Sequence, residues 1–191
     1  MSYAIDLMVE EHANINRMLK VMRSACIGIL DGAEPDTGDF RKMVDFTRNY
    51  SDKHHHGKEE KFLFPEMVSR LGRVAENLVT HGMLVEHDLG RGHVVALNTA
   101  LDQYDNNPDT GSKLDIITET MGYANLLKLH TEKENGVVYP FATSKLPQEV
   151  LDEIDEKSRA FEAEEAAKGV QEKYLAILKE MEEKYLPEKA Q

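Results

Sequence analysis

The chain has one cysteine, Cys26, among 191 residues, no tryptophan and only six prolines. One thiol excludes an internal disulfide framework and any multi-cysteine metal site, and the compartment reads as cytoplasmic. The first eleven residues carry acids and no basic residue, so they do not read as a signal peptide. No run approaches the roughly 20 apolar residues that a membrane span needs. Positive charge is also scarce: Lys plus Arg number 23 against 35 Asp plus Glu, a net charge of −12. That balance opposes binding to nucleic acid or to an anionic membrane, since both need a positive surface. At 41% hydrophobic and 30% charged residues the chain is not disordered. Its length suits one domain with a proper core.

The stretches between Pro35, Pro65, Pro108, Pro140, Pro147 and Pro187 read as helices, because strand-like alternation is sparse. In the first, Ile5, Met8, His12, Ile15, Leu19, Met22, Cys26 and Ile29 step alternately by three and four residues, a continuous helical stripe. Residues 31–38 form a loop by their turn residues. A second helix is expected from about Phe40 to the Pro65 region, and a third from about Arg73 to Tyr104. After a loop at 105–111, a fourth runs from about Ser112 to the Pro140 region. The expected architecture is all-α, an up-down-up-down four-helix bundle over residues 1–145 with a charged helical extension over 146–191. The extension reads as one helix, or as two broken near Gly169. Its stripe of Tyr174, Ile177, Leu178, Met181 and Tyr185 either covers the bundle or pairs with a second subunit in a homodimer.

An internal repeat runs at an offset of 75 residues. Glu11-His12 matches Glu86-His87, His55 matches His130, Glu59 matches Glu134, and Phe64-Pro65 matches Tyr139-Pro140. The repeat chooses among the three histidines at 54–56: only His55 maps onto His130, and the competing pair His56 and Glu60 fails because Glu60 maps onto Asn135.

His55 and Glu59 are four residues apart, as are His130 and Glu134, which places each pair on one helical face. His12 and His87 lie on the apolar stripes of their own helices. Four histidines and two glutamates from four helices therefore converge on one buried layer. Two buried carboxylates cost several kcal/mol each unless compensated, and no Lys or Arg shares these stripes near them. A pair of metal ions compensates both and uses every imidazole; mixed nitrogen and oxygen ligation suits Fe, Mn or Zn over Mg or Ca. Bridging glutamates and an oxo or hydroxo group leave a six-coordinate iron with an open position for dioxygen, peroxide or nitric oxide. The ferritin-like Glu-x-x-His pattern is absent. His54, His56, His81 and His93 read as surface or supporting residues. Glu11 and Glu86 could orient a ligating His, but sitting about 100° round the helix from His12 and His87 favours exposure. Cys26 reads as an inert core thiol.

On these residues the sequence resembles the hemerythrin-like family, in its branch of bacterial cation-binding domains. The resemblance rests on Glu11-His12, on residues 55–60 with Leu63-Phe64-Pro65, on Glu86-His87, and on residues 130–134 with Tyr139-Pro140; it spans about residues 3–145. It implies a bundle around two non-heme iron ions, with His12, His55, Glu59, His87, His130 and Glu134 as ligands and zinc or manganese ranked behind iron. Oxygen-carrying members have a second His four residues from the third-helix His. Here those positions are Met83 and Arg91, so a fifth imidazole is missing. Their last carboxylate follows the final His by five residues, whereas Glu134 follows His130 by four. Simple oxygen carriage is therefore disfavoured. Sensing of dioxygen or nitric oxide, a di-iron peroxidase or nitric oxide reductase, and a module with a purely structural metal stay open. The cysteine-bearing extension of iron–sulfur repair members is not expected in this chain.

Overall fold

The computed structural model describes residues 2–187, and every regular element among them is helical. α1 (Tyr3–Leu30) carries the predicted stripe inward: Ile5, Met8, His12, Ile15, Leu19, Met22, Cys26 and Ile29 are all buried. Its exit is the turn at Gly32, whose φ of 100° favours glycine. Asp36 then caps α2 (Thr37–Phe46) by accepting from the Asp39 N–H at 3.1 Å.

The chain stays helical beyond α2 but widens into π-helical turns at Thr47–His56 and Glu59–Leu63 before α3 (Phe64–Leu78). A second widening, Glu134–Val138, separates α5 (Thr110–Lys133) from α6 (Tyr139–Lys145). Two of these turns lie 75 residues apart, each just before a proline at the start of the next α-segment, Pro65 and Pro140. Proline cannot donate to the preceding turn and its ring crowds the carbonyl four residues back, so a wider turn relieves both. The same turns carry Glu59 and Glu134, in keeping with the frequent placement of π-bulges at functional sites.

Gly72, at φ 65°, breaks the helix within α3, so a new helical run starts at Arg73 as the sequence predicts. That run passes through a further π turn, Val79–Met83, into α4 (Leu84–Asn106). Asp109 and Ser112 form a capping box that starts α5. Beyond α6 come α7 (Gln148–Ala167) and α8 (Val170–Tyr185), separated at Gly169 with φ 71°. The helix count fits a bundle with two added helices.

The apolar core falls into two clusters. One contains Ile15, Met18, Met22, Phe46, Leu97, Leu101, Ile116 and Leu127. The other contains Ile5, Met8, Leu63, Phe64, Met67, Val79, Met83 and Val138. Between these sets, along each long helical run, lie His12, the histidines at 54–56, His87 and His130. The extension covers both clusters of its own chain: Tyr174, Leu178 and Met181 of α8 join the first, and Val150, Leu151 and Ile154 of α7 join the second. Burying Leu178 and Met181 contributes about 2 kcal/mol each. Polar clamps set the register. Asp155 accepts from the free N–H groups of Tyr3 and Ala4 at 2.8 and 2.9 Å, at the positive end of α1. Arg17 forks onto Glu182 at 2.8 and 2.6 Å. Burial pushes the Cys26 thiol up to about 11, so it stays protonated and unreactive. Among the described residues no helix is long and apolar enough to cross a membrane.

Candidate metal centre

All six predicted side chains are buried in the layer between the two clusters. They form two groups whose ligand atoms lie within 4.8 Å of one another: His12, His55 and Glu134, and Glu59, His87 and His130 together with His56. Adding 75 to His12 and His55 gives His87 and His130, and Glu59 and Glu134 exchange, so the groups are related as the repeat requires. Each glutamate also reaches the other group. Glu134 Oε2 lies 3.1 Å from His12 Nε2 and 3.2 Å from His130 Nε2, while Glu59 Oε2 lies 3.5 Å from His87 Nε2 and 3.9 Å from His55 Nε2.

Every one of the four repeat-related imidazoles is held from behind through Nδ1. His12 Nδ1 meets Asn135 Oδ1 at 2.8 Å, His55 meets Glu11 at 2.8 Å, His87 meets Glu60 at 2.7 Å, and His130 meets Glu86 at 3.0 Å. Oxygen acceptors oblige Nδ1 to carry the proton, which leaves the Nε2 lone pairs facing inward.

These inward atoms lack partners. His55 Nε2, His56 Nε2, Glu59 Oε2 and both Glu134 oxygens are buried without a hydrogen bond among the described residues. His87 Nε2 and His130 Nε2 approach to 3.2 Å although the Nδ1 atom of each is already engaged. Lone pairs gathered around an apolar-walled layer repel unless a cation lies among them. Protonation echoes the conflict. Burial and the neighbouring Glu134 push Glu59 well above the usual carboxylate range. Against the opposing effect of burial, His130 and His12 hold Glu134 well below it. Burial and His12 bring His55 down to about 4, and burial and His87 keep His56 low, so both imidazoles stay neutral with lone pairs free. The donor set therefore fits metal ions.

Three expectations need correction. His56 is not peripheral: it is buried, its ring stacks on His87 at 3.7 Å between centroids, and its Nε2 faces the second group. It places a fifth imidazole in a group that could hold a metal ion, which the spacing around His87 does not offer. The wide π turn of Thr47–His56 brings neighbouring residues to a common interior, which a regular helical wheel does not allow. Glu11 is buried rather than exposed and, like the half-buried Glu86, orients a histidine of the other helix of its hairpin, not the adjacent one. His54 is buried against Glu11 and Glu162, with its ring 5.6 Å from that of Phe161 on α7. Lys58 is a buried cation that bonds Glu11, Glu162 at 2.5 Å and His54 at 3.3 Å. It serves that outer cluster and leaves Glu59 and Glu134 uncompensated. His81 and His93 lie outside the layer as predicted; His93 meets Glu119 at 2.7 Å.

Sequence reasoning also missed Tyr139 as a functional side chain. Its hydroxyl donates to Glu59 Oε1 at 2.7 Å and its ring stacks on His12 at 5.6 Å. On the other side, Phe64 stacks on His87 at 5.9 Å. A cavity of about 200 Å³ lies against His56 and His87, lined also by Asp52, Gly90, Arg91 and Val94. Asp52, half-buried, is held down to about 2 despite burial by His56 and Arg91, and Arg91 also reaches Glu60 at 2.6 Å.

No curated protein and no solved structure matches the chain. A family model, the Hemerythrin HHE cation binding domain, matches residues 3–142. That span holds both carboxylate–histidine groups and all of the residues that support them from within the bundle, and the chain belongs to the hemerythrin HHE cation-binding family.

Proposed function

We propose that this is a cytoplasmic, non-heme di-iron protein, an up-down-up-down bundle over residues 1–145, that binds or senses dioxygen, nitric oxide or peroxide. The observation that carries the reading is the set of inward Nε2 and carboxylate atoms left without partners, on side chains already fixed from behind. His12, His55 and Glu134 would hold one ion and His56, His87 and His130 with Glu59 the other, each glutamate lying within reach of a histidine of both groups. Five imidazoles and two carboxylates offer nine ligand atoms, more than two tetrahedral zinc ions use, and favour ions that accept up to six.

Bound iron would supply Lewis acidity and electrons to a small ligand. The protein's part is positional and electrostatic. Glu11, Glu60, Glu86 and Asn135 hold the Nδ1 protons and so fix the rings. The cavity beside His56 and His87 has room for a small molecule, with the Arg91 ion pairs to Asp52 and Glu60 at its edge. The two apolar clusters keep bulk water away from the layer.

Elemental analysis with a visible spectrum tests the reading. The purified, aerobically handled protein should carry about two irons per chain and show ferric absorption. Stoichiometric zinc in a colourless protein would overturn the iron assignment and favour a structural metal. Rapid consumption of hydrogen peroxide by the iron-loaded protein would move the reading from ligand binding to di-iron peroxidase.

A further inference from the structure

We infer that the oxygen of Tyr139 is a further protein ligand, as phenolate, to the ion held by His12, His55 and Glu134. The inference rests on the di-iron reading above.

The two groups are unequal: one has four side chains and the other three. The repeat shows where the difference arises. His56 occupies, in the richer group, the place that Thr131 occupies in the poorer one, 75 residues on. Thr131 faces Asn16 and the Lys128 carbonyl, at 3.2 Å each, and offers the layer nothing. The aromatic positions differ in the opposite sense. Tyr139 and Phe64 are repeat partners and stack on the repeat-related His12 and His87. Phe64 shows that an aromatic ring there needs no hydroxyl to pack. The one added oxygen falls on the side that is one ligand short.

Its position is that of a ligand. The hydroxyl lies 3.5 Å from His12 Nε2 and 2.7 Å from Glu59 Oε1. Donors that share one ion at about 2.0–2.2 Å sit about 3 Å from one another. The same range separates His12 Nε2 from Glu134 Oε2, at 3.1 Å. With Tyr139 counted, each group has four side chains. On coordination the phenol O–H bond breaks and an O–metal bond forms. The proton leaves to solvent through the surface cleft that Tyr139 lines with Asn135, Pro140 and Thr143.

Phenolate on ferric iron has its own signature, a phenolate-to-iron charge-transfer band in the visible with resonance-enhanced tyrosine ring modes in the Raman spectrum. The iron-loaded wild type should show both, and the Raman modes should shift when the protein is grown on ring-deuterated tyrosine. Tyr139→Phe should lose the band and the modes in whatever iron it retains. A wild type that carries two ferric ions without isotope-sensitive tyrosine modes overturns the inference while leaving the di-iron reading standing. So does a Tyr139→Phe spectrum identical to wild type. The isotope measurement needs no variant, so it decides the matter even where Tyr139→Phe fails to fold. A protein that holds no iron fails the di-iron reading itself, and this inference with it.

Discussion

The two halves of the bundle carry nearly the same inner layer in different surroundings. Lys58 and Lys133 are repeat partners, and each bonds the glutamate that orients a histidine, Glu11 or Glu86. Lys58 is 1% exposed and Lys133 is 48% exposed. The difference is the extension, which lays Phe161 and Glu162 over the first half only. One motif thus forms a buried charge cluster in one half and a surface ion pair in the other. Similarly, Glu60 and Asn135 hold equivalent rings with a charged and a neutral oxygen. The repeat builds the cage, and the positions where it lapses make its two sides chemically different.

The largest expected effect tests whether the halves face one another across metal at all. Chelation should lower stability by about 4 kcal/mol for each ion present at a thousandfold excess over its dissociation constant, read as a fall in Tm. A Glu59→Gln, Glu134→Gln double variant should be at least as stable as the metal-free wild type and unable to hold two ions. If chelation leaves Tm unchanged, the carboxylates are satisfied without a cation and the buried-site account fails.

The lysine pair gives the next contrast. Lys58→Met strands Glu11 and Glu162 in a buried cluster and should cost about 3–5 kcal/mol. Lys133→Met breaks a half-exposed pair and should cost no more than about 1 kcal/mol. Equal losses in urea unfolding would remove the asymmetry ascribed to the extension.

Smaller effects are expected on metal binding. Glu60→Ala and Asn135→Ala should each weaken affinity about 10–100-fold, through the ring each one holds. His56→Thr copies the other half and should lower metal content, whereas His54→Ala should leave it near two ions per chain. Metal analysis after dialysis reads both, and a His56→Thr protein with full content would return His56 to the periphery.

The smallest effect concerns the extension. Lys184 and Tyr185, opposing partial burial, hold Asp39 below its ordinary 3.8, and Arg17 holds Glu182 below its ordinary 4.5. Folded values below the unfolded ones mean that this stability is complete above about pH 4.5 and drains as pH falls through the lowered values. Both clamps are partly exposed, so each contributes less than about 1 kcal/mol. Hydrogen exchange should show α8 losing protection in acid before α4; loss in the reverse order would refute the clamp.

Periodicity made α1 legible, because a regular helix steps its apolar face by three and four residues and all eight stripe positions are buried. The helix start expected near Arg73 and the break expected near Gly169 both fall at glycines with positive φ, Gly72 and Gly169. Reading failed where those rules lapse. His56 was misplaced because its neighbours turn by π rather than α geometry. Glu11 was taken as exposed because a single helix cannot show that another helix, and then α7, covers its outer face.

The sequence by itself determined the helices, the repeat and the six repeat-related ligand candidates, because helical spacing and a gapless offset are properties of one chain read along its length. Only the tertiary structure decided that His56 joins them, that Asn135, Glu60, Glu11 and Glu86 hold the rings, that Tyr139 reaches the layer, and that Lys58 is buried while Lys133 is not. Each of these depends on which segments meet side by side, and burial and hydrogen bonding across helices are fixed by packing that no local pattern encodes.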